Sequence, residues 1–541
     1  MKLLTSVLKN LPEYRSLLAA IDGGRCPAAV SGLSPVHRAH FAAALLADTG
    51  RPVVLVCADE SEGKRLGEDL AAFTGQQPLS LGAREFLFHP GAVASRQWEH
   101  RRLAAFHAMA EGSAPLVVAT IEALLQRTLP PELFHRGCRT LKSDGQYDLA
   151  ELAEFLAAAG YKRCQQVEGV GQFALRGGIL DVYSPAHSAP ARIEFWDQDV
   201  DSMGLFDVNT QRRTAQLQEV VLLPASELLP GLAGAAVSGP VTDCDLPRIY
   251  GQMATAADYL PPDAIVCFSE SSRVAERGNN WNWQLTEDIK LLLENGLVDG
   301  AHAVFSASLD ELMAVLADFP LCYLDSFTTS QYPLRPKTGY NVMAKQLPSY
   351  GASLETAVTD LTHYQQDGAS AVVLVASEQR ALDLQAMLRE RKIRSAVDFA
   401  LHDLPGPGGV TLAVGGLSAG FEYPAAHIAV LTEGRAAAPG KKRRVKKEVT
   451  NRQKLDSYAD LSPGDLVVHE HHGIGRFVGM VKMSVDGVQK DYIKLAYAGA
   501  DVLYVPATQL DLVSKYIGGG EDQEHKKLNK LGGADWERTR S

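Results

Sequence analysis

The chain has 541 residues, more than a single hydrophobic core supports, so roughly three to five domains are expected. Apolar residues make up 46% and charged residues 22%, which excludes the disordered and fibrous classes, and the absence of any run of about 18 apolar residues leaves no candidate membrane helix. A net charge of −11 means that any contact with nucleic acid has to come from a local basic patch.

Lys9 interrupts the apolar start Met1–Leu8 before a leader segment can form, and we read the chain as cytoplasmic and unprocessed. The seven cysteines, at 26, 57, 138, 164, 244, 267 and 322, include no Cys-x-x-Cys pair, so neither a disulfide framework nor a zinc site is expected.

In chain order, Pro52–Cys57 is a buried-type strand followed by a helical stretch from Ser61 to Phe73, and Pro115–Thr120 is another, followed by helical Ile121–Arg127. This alternation predicts a parallel α/β sheet, 1–137, whose chemistry would lie at the strand C-termini. From 138 to 225 the texture changes to short strands, 172–176, 178–183 and 191–196, and predicts an inserted α+β domain. A further α/β-like stretch, 226–340, carries strands at 264–268 and 321–325. Another, 341–437, has strands at 371–376, 410–414 and 428–431 and a helix at 378–391.

Residues 438–460 contain Lys441-Lys-Arg-Arg-Val-Lys-Lys447 and no apolar periodicity, the pattern of a basic flexible linker. That run is either a solvated linker or a sequence-blind phosphate contact. Residues 461–520 read as a small β-barrel. Asp486-Gly487 between alternating strands predicts a tight hairpin, with Ile493, Leu495 and Tyr497 on the core face and Tyr492, Lys494 and Ala496 on the other. Residues 521–541 read as the start of a helix, with Asp535 as its N-cap candidate, cut off by truncation of the chain.

No catalytic residue, cofactor site or metal site is expected. A phosphate loop requires Gly-x-x-x-x-Gly-Lys-Ser/Thr, because backbone N–H groups must wrap the phosphates while the Lys reaches the β and γ oxygens. At the corresponding place, Ala28–Arg38, the second Gly and the Lys are missing, and Pro35 removes a donor. Gly63-Lys64 lacks its partner Gly, and Asp325 is a lone strand-end carboxylate with no following Glu. His469-Glu-His-His472 does not match a helical zinc pattern, since neighbouring strand residues face opposite ways. Gly473-Ile-Gly475 follows no βαβ unit and is better explained by a strand bend. Arg84 and the stretch Arg96-Gln-Trp-Glu-His-Arg-Arg102 form a basic and aromatic group that reads as a helix face or a second nucleic-acid contact.

Two long motifs carry a resemblance. Gly464–Met480, Tyr492–Tyr497 and Val502–Pro506 resemble the CarD-like, SH3/Tudor-type barrel of bacterial transcription-repair coupling factors. Gly171-Gln-Phe-Ala-Leu-Arg-Gly-Gly-Ile-Leu-Asp-Val-Tyr-Ser-Pro185 with Arg192-Ile-Glu-Phe-Trp196 resembles domain 2 of UvrB and of the same family. The resemblance implies a degenerate UvrB-like module (domain 1a, 1–137; domain 2, 138–225; domain 1b, 226–340), a third α/β domain, and a module that holds RNA polymerase.

Its implied function is that of an adaptor, with the barrel binding the polymerase β subunit and domain 2 recruiting UvrA. ATP-driven translocation along DNA, with its ATP and magnesium, would belong to the family's C-terminal half. By position the UvrA contacts are Arg176, Arg192 and Trp196, the last standing where a phenylalanine is usual. Solvated arginines and a core tryptophan remain the plain alternative. Lys482, Met483, Ser484 and Val485 are the implied polymerase contacts, on a strand edge that a partner strand can extend; Met483 reads equally as barrel core. The rival functions are an NTP-dependent helicase-like subunit with an atypical phosphate loop and a UvrB-like damage binder. The second would need an aromatic hairpin, and none is evident in 80–110.

Overall fold

The computed structural model describes residues 1–88, 96–237, 239, 241–350 and 354–434, and then the segments 452–454, 464–469, 473–485, 488–498, 501–506 and 513–516. The basic run 441–447 and the expected helix start at 521–541 lie outside the described residues. The chain divides into two units: one holds the first 439 residues apart from 91–98, and the other holds residues 440–541 together with 91–98.

The larger unit is built on a seven-stranded parallel sheet in the order Thr338–Asn341, Ala28–Ser31, Leu321–Leu324, Ile265–Ser269, Val53–Cys57, Leu116–Thr120, Leu79–Leu81. Its central strands are unbroken apolar runs because both faces are covered. Val54 and Val56 pack into one hydrophobic cluster while Val53, Leu55 and Cys57 pack into another, so alternate residues of one strand feed the two layers. The stretch 226–340, read from sequence as a separate α/β region, builds no sheet of its own. Strands Leu321–Leu324 and Ile265–Ser269 slot between Ala28–Ser31 and Val53–Cys57, and Thr338–Asn341 joins the outer edge of Ala28–Ser31.

Helix Glu60–Thr74 shows why the local signals suffice. Asp59 caps it by accepting from the Glu62 N–H at 2.8 Å, and Gly75 ends it at φ +74. Helix Pro35–Thr49 starts with Pro at its first turn and ends at Gly50, φ +66.

The inserted domain is a six-stranded sheet in the order Arg213–Gln216, Asp199–Phe206, Ala191–Trp196, Ile179–Val182, Gln172–Arg176, Lys162–Arg163. Helix Leu149–Ala158 packs on one face through Leu152 and Leu156. Antiparallel pairing of Arg139–Lys142 with Glu219–Leu222 forms the neck by which the chain enters and leaves.

Residues 345–432 form a third sheet, with Ser370–Val375 between Ile428–Thr432 and Val410–Val414. Val373 and Val375 face helices Leu354–Gln366 and Glu378–Glu390, whereas Val372 and Leu374 share a cluster with Phe41 and Leu45 of helix Pro35–Thr49.

The smaller unit contains a six-stranded antiparallel sheet in the order Arg452–Lys454, Val513–Tyr516, Leu466–His469, Gly473–Val485, Val488–Ala496, Val502–Pro506. Val485 pairs with Val488, leaving two residues between the strands, as the Asp-Gly signal predicts. Ile493, Leu495 and Tyr497 are buried, and Tyr492, Lys494 and Ala496 are half-buried, in the expected alternation. A Cβ on Gly475 would meet the Tyr497 ring at 2.9 Å, so glycine is required by close packing and not by a nucleotide.

Candidate protein-interaction surfaces

In the inserted domain Arg176 pairs with Ile179 across a two-residue turn. Gly177 takes φ +59, and a Cβ on Gly178 would come within 2.7 Å of the Phe195 carbonyl oxygen. Both turn positions therefore demand glycine. The Phe195 N–H donates to the Gly178 carbonyl at 2.7 Å and ties the turn to strand Ala191–Trp196.

Along that strand Ala191, Ile193 and Phe195 are buried, while Arg192, Glu194 and Trp196 occupy the opposite face. Trp196 is 81% exposed, which removes its reading as a core residue. The face that bears Trp196 also carries Arg176, so the three candidates share one surface, under different conditions.

Asp181, only 1% exposed, stands directly opposite Arg192 in the ladder and diagonal to Arg176. Its Oδ1 accepts from Arg192 Nε at 2.6 Å, and its Oδ2 accepts from Arg192 Nη2 at 2.9 Å and from Arg176 Nη2 at 2.6 Å. Arg192 also donates to the Gln211 side-chain oxygen at 3.0 Å and to the Gln211 carbonyl at 3.4 Å, and its guanidinium lies 4.5 Å above the Phe206 ring. The bond to Asp181 pushes the Arg192 pKa further up. Arg192 is thus an internal fork with every nitrogen engaged, whereas Arg176 has a side chain 50% exposed and spends one nitrogen. Sequence reasoning missed Asp181; the signal was an acid inside the apolar strand Ile179-Leu-Asp-Val182.

In the smaller unit Lys482, Met483, Ser484 and Val485 pair with Asp491, Lys490, Gln489 and Val488. On the other edge only Gly473–Arg476 pairs with a strand among the described residues, namely Leu466–His469. The distal part of the hairpin thus presents a backbone edge of the kind that strand addition uses. The side chains of 482–485 lie outside the described residues. His469 is a buried strand residue, and 470–472 are outside the description.

At the corner where a phosphate loop would sit, the backbone donors are already committed. The Gly32 N–H donates to the Ser326 carbonyl at 3.2 Å and the Leu33 N–H to the Asp325 carbonyl at 3.0 Å. A Cβ on Gly32, φ +89, would come within 2.1 Å of the Val342 carbonyl oxygen, so this glycine serves chain packing. Arg38 is buried in the same corner. It donates to Ser269 Oγ at 2.8 Å and pairs with Glu62 and Glu270 at 3.4 and 3.3 Å. Asp325 is capped by Ser271, and burial pushes its carboxyl pKa up.

The basic and aromatic stretch lies on a helix, Gln97–Ala110, with Arg96 just before it and Arg101 on it exposed, while Arg84 and Arg102 are turned inward. Both arginines are buried, held by Glu227 and Asp243: Arg102 Nε donates to Glu227 Oε1 at 2.9 Å, and Arg84 forms a two-pronged pair with Asp243 at 2.9 and 2.7 Å. Glu227 also accepts from Thr128 Oγ1 at 2.6 Å, and Glu99 accepts from the Glu227 N–H at 2.6 Å. These charges fasten the exit of the inserted domain and face no solvent.

A UvrB interaction domain model matches residues 140–228, and a CarD-like/TRCF RID domain model matches 461–517. Over nearly its whole length the chain is similar to transcription-repair-coupling factors. It is 28% identical over 577 residues to that of Bacillus subtilis (strain 168), covering 98% of this chain and 48% of the relative. With that of Staphylococcus aureus (strain MRSA252) the identity is 28% over 583 residues, covering 100% and 49%. The chain spans about half the length of the curated relatives it matches, and the similarity is to their N-terminal portion.

Proposed function

We propose that the chain is an adaptor of transcription-coupled DNA repair, which holds stalled RNA polymerase through residues 461–517 and recruits UvrA through the inserted domain. The observation that carries this is the presence, in one chain, of a match to the UvrB interaction domain with Trp196 and Arg176 exposed on one sheet face and a match to the CarD-like/TRCF RID domain with a hairpin whose distal strand edge pairs with no other strand among the described residues. An exposed tryptophan beside an arginine with spare donors has the composition of an interface anchor. Lys482–Val485 supply the edge for the polymerase β subunit.

The same reading has the smaller sheet close into an SH3/Tudor-like barrel. It is supported by the packing of Val505 and Val513, from strands four places apart in the sheet, into one cluster with Val467, Phe477, Ile493 and Leu495. We assign no nucleotide-driven step to these 541 residues, because the amides of Gly32 and Leu33 and the guanidinium of Arg38 are spent within the protein. Translocation on DNA, with its ATP and magnesium, is proposed for the part of the relatives' length that this chain does not span. No described helix is long and apolar enough to cross a membrane, and the reading places the adaptor in the cytoplasm.

The test is a side-by-side capture of purified UvrA and of the polymerase β lobe by the chain and its Trp196→Ala variant. The variant should lose UvrA and keep polymerase. Capture of UvrA undiminished by the substitution refutes the surface, and failure of the parent chain to capture either protein refutes the adaptor.

A further inference from the structure

The three residues that the resemblance nominates for UvrA are not equivalent in space, and the residue that sets them apart is one the resemblance did not nominate. Asp181 is an acceptor-only group when ionised, sealed from solvent, and satisfied by two guanidinium groups at once. The pair with Arg192 is two-pronged, which fixes the plane of that guanidinium as well as its distance. Phe206 beneath it and Gln211 beside it hold the group further, so of the five N–H donors of Arg192 only one, on Nη1, is left uncommitted.

Arg176 is the opposite case. One of its nitrogens reaches diagonally across the ladder to Asp181, and Nε and Nη1 donate to no described residue. An unrestrained arginine loses considerable rotamer freedom on binding, and a side chain already anchored at one nitrogen loses less. Trp196 lies on the same face, beside the glycine turn that Arg176 begins.

We propose that Asp181 is a positioning residue for the docking surface: with Arg192 as its fixed counter-ion, it holds Arg176 so that its free donors stand on the sheet face that bears Trp196. The surface then suits a partner that sets a carboxylate next to an apolar cleft, the carboxylate taking Arg176 and the cleft taking the indole. Arg192 touches no partner atom in this arrangement. This inference rests on the reading of the inserted domain as the UvrA-docking module.

The experiment is a double-mutant cycle in the full chain, with UvrA affinity measured by calorimetry or interferometry for Asp181→Asn, Arg176→Ala and the two combined. Arg176→Ala should weaken binding about tenfold, Asp181→Asn by a similar factor, and the combination by no more than either alone, because Asp181 acts through Arg176. A residue needed only for folding would lower affinity by the same factor whether or not Arg176 is present, so losses that multiply overturn the proposal.

Should Asp181→Asn unfold the domain by leaving Arg192 buried without its counter-ion, the double variant Asp181→Asn with Arg192→Gln replaces the pair by neutral groups. It is then compared in the presence and absence of Arg176. Unchanged affinity in that folded variant, while Trp196→Ala and Arg176→Ala both weaken binding, overturns the positioning role and leaves the docking reading standing. No effect of Trp196→Ala or Arg176→Ala overturns the docking reading itself.

Discussion

His40 offers a quantitative test of how residues 345–432 pack on the N-terminal helices. Its ring is wholly buried between helix Pro35–Thr49 and strand Gly420–Tyr423. Nε2 lies 2.9 Å from the Leu4 carbonyl, which can only accept, so Nε2 carries the proton and Nδ1 accepts from the Tyr423 hydroxyl at 3.0 Å. The ring stacks on Phe73 at 4.7 Å and lies 5.0 Å from Phe421. Burial lowers its pKa from 6.5 to about 4.

A histidine whose folded pKa lies below its unfolded value contributes stability that is complete above the unfolded pKa and drains away as pH falls toward the folded one. Between pH 7.5 and pH 5 this ring alone should remove about 2 kcal/mol. His40→Gln keeps an amide donor for Leu4 and does not titrate. The variant should be less stable than the parent at pH 7.5, by about 1–3 kcal/mol for the weakened buried hydrogen bonds, and the gap should shrink by about 2 kcal/mol at pH 5. Hydrogen exchange of peptides from 35–49 and 420–432, corrected for intrinsic rates, reads this locally, without requiring a multidomain chain to unfold in two states. A gap that stays constant between the two pH values refutes the burial argument.

Three other outcomes follow from the same kind of reasoning. Asp69, buried beneath Ser418, has its carboxyl pKa raised from 3.8 to about 6 by burial, which outweighs the two Ser418 hydrogen bonds. The charge therefore costs stability above about pH 6, and Asp69→Asn should raise stability by roughly 1–3 kcal/mol at pH 7.5, a gain that disappears below the unfolded pKa and is checked by thermal denaturation across pH. Arg102→Ala takes from the sealed Glu227 carboxylate the Nε donor at 2.9 Å and from the Gly82 and Ala123 carbonyls their Nη1 donor, so the unit should lose about 3–5 kcal/mol in denaturant titrations, far more than an exposed arginine would cost. Met483→Arg places a charge on the hairpin edge proposed for the polymerase, so capture of the β lobe should fall at least tenfold while UvrA capture is unchanged, and equal losses for both partners would count against separate surfaces.

Much of this architecture was legible in the chain because its signals are local. An unbroken apolar run such as Val53–Cys57 reads as a strand buried on both faces, and Gly177-Gly178 makes a tight turn from its own two residues. Alternation placed Ile493, Leu495 and Tyr497 on the core side before any partner strand was known. The motif around Arg176 and Arg192 matches the UvrB interaction domain, because residue type and spacing survive in the sequence.

Position in the chain could not say which guanidinium is free. Arg176 and Arg192 look alike in sequence, and only the ladder register that sets Asp181 opposite one and diagonal to the other divides them into a tethered donor and an internal brace. Trp196 was equally open as core or surface until strand alternation met a layer packed on the far face alone. Arg102 carries the same charge as a solvated helix residue, and its burial was decided by Glu227, which is brought to it from 125 residues away. The strands of 265–269 and 321–324 are legible as strands, but nothing local records which neighbours a strand will take, and the fold sets them between Ala28–Ser31 and Val53–Cys57. Conformation is written in adjacent residues, whereas burial and charge pairing depend on segments that meet only once the chain has folded.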